Sequence, residues 1–176
     1  DSPAREVRIL ADRDDHPPGL NFLSAFAKLL DLRDAAWKPQ LEQIDAPSRA
    51  GSRKFDVRGS SFTFTRRDGT YILNPDLLSY GQKRLLAYLY YLETCRDVVI
   101  ADELVNGLHH RWIAACMQAI GERQAFLTSQ NPLLFEYVEF ASIEQVETRF
   151  ITCRSELVDG AEQLVWQNMP REDAER

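Results

Sequence analysis

The sequence predicts an α/β fold, and three observations carry that prediction. Two short apolar runs, at 98–101 and 124–128, flank a helical stretch. Strand, helix and strand within about 30 residues make a βαβ unit, whose strands run parallel. Upstream, residues 55–65 alternate, with Phe55, Val57, Phe62 and Phe64, and an Asp68-Gly69 turn leads to Tyr71-Ile72-Leu73, a hairpin signal. Between these, Leu85, Leu86, Leu89 and Leu92 fall on one face of a helix over 82–94.

The remaining elements follow from period and punctuation. Residues 6–11 read as a short strand, and the charged, Pro-rich run 12–18 as a loop. From Gly19 to Trp37, Leu20, Phe22, Leu23, Phe26, Leu29 and Leu30 suit an amphipathic helix that ends before Pro39. The stretch 45–54, rich in Pro, Ser, Gly and Arg, reads as mobile. The all-apolar run 98–101 suits a strand covered on both faces. A helix over 109–120 stops at Gly121, and a short helix follows Pro132. Segments 146–153 and 163–166 read as late strands, and 170–176 as a frayed polar end.

With 176 residues the chain is long enough for one domain with a buried core. Hydrophobic residues make up 44% and charged residues 27%, as in ordinary soluble proteins. The net charge of -6 argues against a nucleic-acid grip over the whole surface; a local basic patch remains open. Cys95, Cys116 and Cys153 are odd in number and far apart, which reads as reduced thiols in a cytoplasmic protein. No signal peptide and no apolar run of about 18 residues is present, so no membrane span is expected. The opening Asp1-Ser2-Pro3, with no Met, reads as a fragment or a processed piece.

Four constellations carry chemistry. In Leu78-Ser79-Tyr80-Gly81-Gln82, Ser79 stands at an N-cap and Gln82 at the reciprocal position of a capping box. Main-chain N–H groups at such a helix start can receive a phosphate, and Gly81 leaves room for an anion to approach. The same pattern also serves as an ordinary cap and turn. The run 98–103 delivers Asp102 and Glu103 at the carboxyl end of a strand, the edge where open parallel sheets bind ligands. One acid can hold Mg²⁺, often through waters, and the other can orient or deprotonate an attacking water. Two solvated acids at a strand end would look the same. Asn106-Gly107-Leu108-His109 comes just after. In Thr128-Ser129-Gln130-Asn131-Pro132 a second apolar strand ends in small polar residues, which brings Gln130 toward Glu103 if the strands are parallel neighbours.

Taken in order, residues 77–132 resemble the second half of an ABC-type nucleotide-binding domain. The likeness is to the soluble branch of chromosome-maintenance (SMC-like), RecF-like and OLD-like proteins and many bacterial AAA-type ATPases. Leu78 to Gln82 looks like the signature motif and 98–103 like the Walker B strand. Asn106 to His109 looks like the D-loop and Thr128 to Pro132 like the switch segment, in which His is usual. The resemblance implies a P-loop NTPase-like ABC half: a mostly parallel sheet with flanking helices, a helical signature lobe and a β-hairpin. The chain is then one partial domain over 1–176. Its parts are a helical or mobile lobe (1–54), a hairpin with signature helix (55–95) and a Walker B and switch sheet (96–170). Glu103 would be the catalytic base, Gln130 the switch residue and Asp102 the Mg²⁺ ligand. Ser79, Tyr80, Gly81 and Gln82 would touch ATP held by a partner, and Asn106, Gly107, Leu108 and His109 the opposite subunit. A second copy or a homologous head is the implied partner, with DNA or an effector protein beyond it. DNA transactions and antiviral defence are typical roles.

Two departures bear on this. No G-x-x-x-x-G-K-S/T occurs at any of the eight glycines, so the phosphates lack their primary cradle. That piece is expected upstream in a longer polypeptide or on another chain, and the isolated chain is expected to be inactive. Gln130 can donate a hydrogen bond to a phosphate oxygen but cannot carry charge, which favours a second reading: an ATP-sensing module with slow or no hydrolysis that controls an attached effector. An unrelated α/β interaction domain is a third. His109 and His110 point about 100° apart on a helix and make no shared metal face. His16 reads as solvated, Tyr88, Tyr90 and Tyr91 as packing, and Arg49, Arg53, Lys54 and Arg58, like Arg66 and Arg67, as a solvated rim rather than a phosphate grip.

Overall fold

The computed structural model describes residues 7–10, 12, 19–44, 54–72 and 75–175. They fall into two compact units, divided between Leu134 and Phe135. His16, Arg49 and Arg53 and most of the stretch expected to be mobile lie outside the described residues.

In the first unit, strands β1 (Val7–Leu10), β2 (Leu32–Ile44), β3 (Lys54–Arg66) and β4 (Tyr71–Ile72) form one antiparallel sheet in that order. The β3–β4 turn is the expected hairpin. Asp68 accepts from the Thr70 amide at 2.9 Å and the Thr70 hydroxyl at 2.7 Å. Those bonds, the amide first, hold the Asp68 carboxyl below its usual range. Helix α1 (Asn21–Leu29) lays Phe22, Leu23 and Phe26 against this sheet. The Phe26 and Phe64 rings stand 5.2 Å apart. Each such buried side chain contributes roughly 1.5–3 kcal/mol.

The sequence predicts one helix over 19–37, and the structure corrects this. The helix ends at Leu29, Asp31 turns the chain at φ 53, and β2 begins at Leu32. Asp34, on a helix in the sequence reading, is buried within the sheet and accepts from Thr65 Oγ1 at 2.7 Å and Arg33 Nε at 2.9 Å. Pro39 sits within β2 beyond the β1 pairing, which ends at Trp37. A proline, which cannot donate to a ladder, is accommodated where, among the described residues, only β3 pairs with β2.

Helix α2 (Tyr80–Thr94) contacts both α1 and α3 (His110–Ile120). Leu85, Leu89, Leu92, Ile113, Cys116 and Ile120 are buried. Tyr88 is buried as expected, and its hydroxyl has no partner among the described residues; burial pushes its pKa up. Arg123 joins the ends of α2 and α3 by donating to the carbonyls of Leu92 (2.7 Å), Cys95 (3.0 Å), Ile120 (2.7 Å) and Ala119.

Strands β5 (Val98–Ala101) and β6 (Gln124–Leu127) pair in parallel around α3, as the βαβ reading predicts. The expectation of cover on both faces is corrected. Val99 and Ala101 are buried, but Ile100 is 67% and Phe126 46% exposed. Among the described residues the sheet has two strands, and its buried side chains are those of β5.

The second unit holds α4 (Ile143–Arg149), the hairpin β7 (Ile151–Val158) and β8 (Ala161–Asn168), and α5 (Arg171–Ala174). A strand over 146–153 is predicted, but a helix fills the first half. Ser142 and Gln145 form the reason: the Gln145 amide donates to Ser142 Oγ at 3.3 Å, and the Ala141 amide to Gln145 Oε1 at 3.0 Å. This cap outweighs the β preference of Val146. The end read as frayed forms one helical turn, Arg171–Ala174. No helix among the described residues is long and apolar enough to cross a membrane.

Candidate functional site

Each motif found in the sequence lies at a loop or element end of the first unit. Ser79 caps α2 in a full capping box. The Gln82 amide donates to Ser79 Oγ at 3.3 Å, and the Ser79 amide to Gln82 Oε1 at 2.9 Å. The box occupies those two amides and leaves the N–H groups of Tyr80 and Gly81 as the open donors of the helix start. Ser79 and Tyr80 are exposed and Gln82 is half-buried.

Gly81 departs from expectation. It is buried, and a Cβ there would stand 2.3 Å from the carbonyl oxygen of Gly107 and 3.4 Å from the Trp112 ring. The space its missing side chain leaves is taken by the loop after β5, not held open for an anion. Gly107, at φ 73, in turn sits under the Tyr80 ring, 2.8 Å from where its own Cβ would be. The glycines at 81 and 107 therefore lock the helix start to that loop. Leu108 is buried and anchors the loop, so it does not offer its side chain to a partner as expected; Asn106, Gly107 and His109 are exposed. His109 caps α3, its Nδ1 accepting from the Arg111 amide at 3.4 Å.

At the strand ends the expected convergence is present. The Gln130 main-chain N–H donates to both oxygens of the Glu103 carboxylate, at 3.1 and 3.4 Å. Asp102 accepts through Oδ1 from the Thr128 hydroxyl, and that hydroxyl accepts from the Glu103 amide at 3.1 Å. Glu103 itself adopts φ 52, a left-handed backbone rare outside glycine. Its carbonyl accepts from the Asn106 amide at 3.1 Å and from Arg84. Arg84 also reaches the Asp102 carbonyl at 2.9 Å and the Tyr80 hydroxyl at 3.3 Å. An open cleft of about 430 Å³ runs past Glu103, Asn106, Gly107, Gln130 and Asn131.

The sequence gives Arg84 no role, and it marks Thr128 only as the first residue of the switch-like segment. A basic residue five positions past the cap and a threonine at a strand end are ordinary locally; only the fold shows that both act on the Asp102–Glu103 turn.

The donor set suits a hard divalent cation. No group of three His, Cys, Asp or Glu side chains capable of holding a metal exists among the described residues. Mg²⁺ does not require one, because it takes one or two carboxylates plus waters and substrate phosphates. Asp102 is exposed, with Oδ1 fixed by Thr128, so Oδ2 is the oxygen a cation or its water would take.

Comparisons with known proteins bear on the assignment. No curated protein matches the sequence. Among solved structures, the chain is similar to one from SMC ATPases described for ATP-driven dimerization and DNA-stimulated activation: TM-score 0.48, 14% identity, 89% of this chain and 86% of that one covered. It is also similar to the Smc head domain with a coiled coil and joint derived from Pyrococcus yayanosii, with TM-score 0.47 and 16% identity over 89% of this chain. This chain spans 27% of the length of that second structure. The sequence model of one family covers residues 2–136, through both strand ends and the capped helix, and it is described as "AAA domain, putative AbiEii toxin, Type IV TA system". The chain belongs to this AAA-domain family of nucleotide-binding ATPases.

Proposed function

We propose that this chain is the signature-motif half of an ABC-type ATPase that closes on ATP as a dimer and is completed by a phosphate-loop half. The observation that carries the reading is the convergence of Asp102, Glu103 and the Gln130 main chain on one strand-end edge, with the Gln130 main-chain N–H 3.1 Å from Glu103 Oε1. In this reading Asp102 holds Mg²⁺, which supplies charge neutralisation for the transferring phosphoryl group. Glu103 accepts the proton of the attacking water. Ser79 Oγ and the open amide of Tyr80 meet the γ-phosphate of the partner's ATP, with Gln82 fixing the cap and Gly81 packing the helix start against the Gly107 loop. Asn106, Gly107 and His109 face the second copy.

The need for a phosphate-loop half is supported by two facts. The sequence holds no phosphate-loop motif, and the parallel pair β5–β6 leaves Ile100 and Phe126 exposed on one face. Parallel strands are ordinarily buried on both faces. A strand–loop–helix unit laid on that face would cover them.

The test is Glu103→Gln in the polypeptide completed by its phosphate-loop half. ATP binding should persist while phosphate release falls by roughly 10²–10⁴-fold. Unchanged phosphate release would remove Glu103 from the catalytic role.

One observation favours a second reading, in which the domain senses ATP and turns it over slowly or not at all to control an attached effector. Gln130 stands where a chargeable His is usual, and its amide can donate a hydrogen bond to developing charge but cannot add a positive charge. Equal phosphate release from the unaltered protein and the Glu103→Gln variant, both still closing on ATP, would select it. Direct DNA contact through Arg67 is disfavoured, since its guanidinium is engaged by Asp31 at 2.6 Å and Asp12 at 3.6 Å. The Asp31 bond raises its pKa further.

A further inference from the structure

We infer that Thr128 is a positioning residue for both acids of the site, setting Glu103 through its main chain and Asp102 through its carboxylate. This rests on the proposed roles of Asp102 and Glu103. One hydroxyl makes both contacts. Its oxygen accepts from the Glu103 N–H at 3.1 Å, and its hydrogen goes to Asp102 Oδ1. The direction is fixed by chemistry: a main-chain N–H can only donate and an ionised carboxylate can only accept. Thr128 is the group between them that does both.

Two consequences follow. First, the Asp102 carboxylate cannot rotate freely, because the Thr128 hydroxyl holds Oδ1. Second, Glu103 is held at φ 52, a left-handed conformation that is strained for a residue with a Cβ. Such a conformation persists only where its surroundings enforce it. The Glu103 amide is fixed by Thr128, its carbonyl by Arg84 and the Asn106 amide, and its carboxylate by the Gln130 main-chain N–H. Of these, Arg84 also reaches the Asp102 carbonyl, while Thr128 holds the Asp102 carboxylate. The Thr128 main chain is itself tied to the strand it serves, its amide donating to the Ala101 carbonyl at 3.0 Å. The hydroxyl is thus delivered from β6 to the turn at the end of β5 with little freedom.

The test uses Thr128→Val, which keeps the shape and β-branching and removes the hydroxyl, and Thr128→Ser, which restores it. Glu103→Gln is run beside them in the full polypeptide. Thr128→Val should lower kcat by roughly 10–100-fold, the usual effect of losing an outer-shell partner at a metal-dependent site. KM for ATP should change far less than kcat, since the hydroxyl's partners are the Glu103 N–H and the Asp102 carboxylate. Thr128→Ser should recover most of kcat. A second readout needs no turnover: amide hydrogen exchange at Glu103 should speed up roughly fivefold in Thr128→Val, the effect of one net hydrogen bond, and return to normal in Thr128→Ser. If Glu103→Gln abolishes turnover but Thr128→Val keeps full kcat and unchanged exchange, the positioning role is overturned and the catalytic reading stands. If Glu103→Gln has no effect on turnover, that reading fails and takes the catalytic meaning of Thr128 with it. A loss of kcat that Thr128→Ser does not recover would point to packing and also overturn the proposal.

Discussion

Gly81→Ala distinguishes an ordinary helix glycine from a packing glycine. On helix preference alone the change should stabilise, because Ala is better than Gly by about 1 kcal/mol in a helix interior. Position 81 is near the helix start, where that gain is smaller. Against it stands a Cβ placed 2.3 Å from the Gly107 carbonyl oxygen. A carbon–oxygen contact settles at roughly 3.3–3.6 Å, so about 1 Å must be found. The obstructing atom is backbone, and the turn carrying it is held by the Asn106 amide on the Glu103 carbonyl and the Leu108 amide on the Val105 carbonyl. No side chain can swing away. Overpacking of this kind costs about 1–3 kcal/mol, which exceeds the helix gain. The net expectation is a loss of about 1–2 kcal/mol, or a fall in Tm of roughly 2–4 °C per kcal/mol for a chain of this size. Urea unfolding gives the loss directly, and hydrogen exchange at Asn106 and Leu108 should show the loop loosening. Equal or raised stability with unchanged loop exchange would refute the packing argument and return Gly81 to the status of an open anion approach.

Two further outcomes are expected. Arg84→Met keeps the stem and removes the guanidinium that caps the Asp102 and Glu103 carbonyls; with charged bonds worth about 1.5–3 kcal/mol, stability should drop by about 2 kcal/mol and Glu103 amide exchange should rise, and no change in either would show those bonds to be incidental. Burial pushes the Cys116 thiol from 9.0 up to about 12. The folded state therefore holds that proton more tightly, so its stabilising effect is complete below pH 9 and is lost as pH rises toward 12. At pH 10 the unfolded state gains about 1.4 kcal/mol from thiol ionisation. The unfolding midpoint of the unaltered protein should fall from pH 8 to pH 10 more than that of Cys116→Ala, and parallel curves would contradict the burial argument.

What the sequence revealed and what it concealed divide along local and tertiary lines. The Ser79–Gln82 box and the Asp68-Gly69 hairpin depend on neighbours within a few residues, and the β5–α3–β6 crossover on a general rule for strand, helix and strand in succession; each was legible. The end of α1 was not. The apolar spacing of Leu29 and Leu30 runs on into Leu32, and nothing marks Asp31 as a residue that will take a positive φ. Helix α4 was legible in principle, since Ser142 and Gln145 repeat the spacing of Ser79 and Gln82, but Val146, Phe150 and Ile151 read as a strand. At the site, the placement of Gln130 beside Glu103 followed from parallel strands ending at one edge. The engagement of Gly81 by Gly107, and the contacts made by Arg84 and Thr128, join residues 18 to 26 positions apart, and local pattern says nothing about them.

The most direct measurement of the account is complementation between two defective proteins, each in the polypeptide completed by its phosphate-loop half. Ser79→Ala weakens the face that meets the partner's ATP, and Glu103→Gln removes the base on the chain that holds its own. If ATP is shared across two copies, a mixed dimer has one intact site, and the mixture should release phosphate well above the sum of the two proteins measured separately. A mixture no more active than that sum would place both residues in one chain's site and contradict the shared-ATP claim.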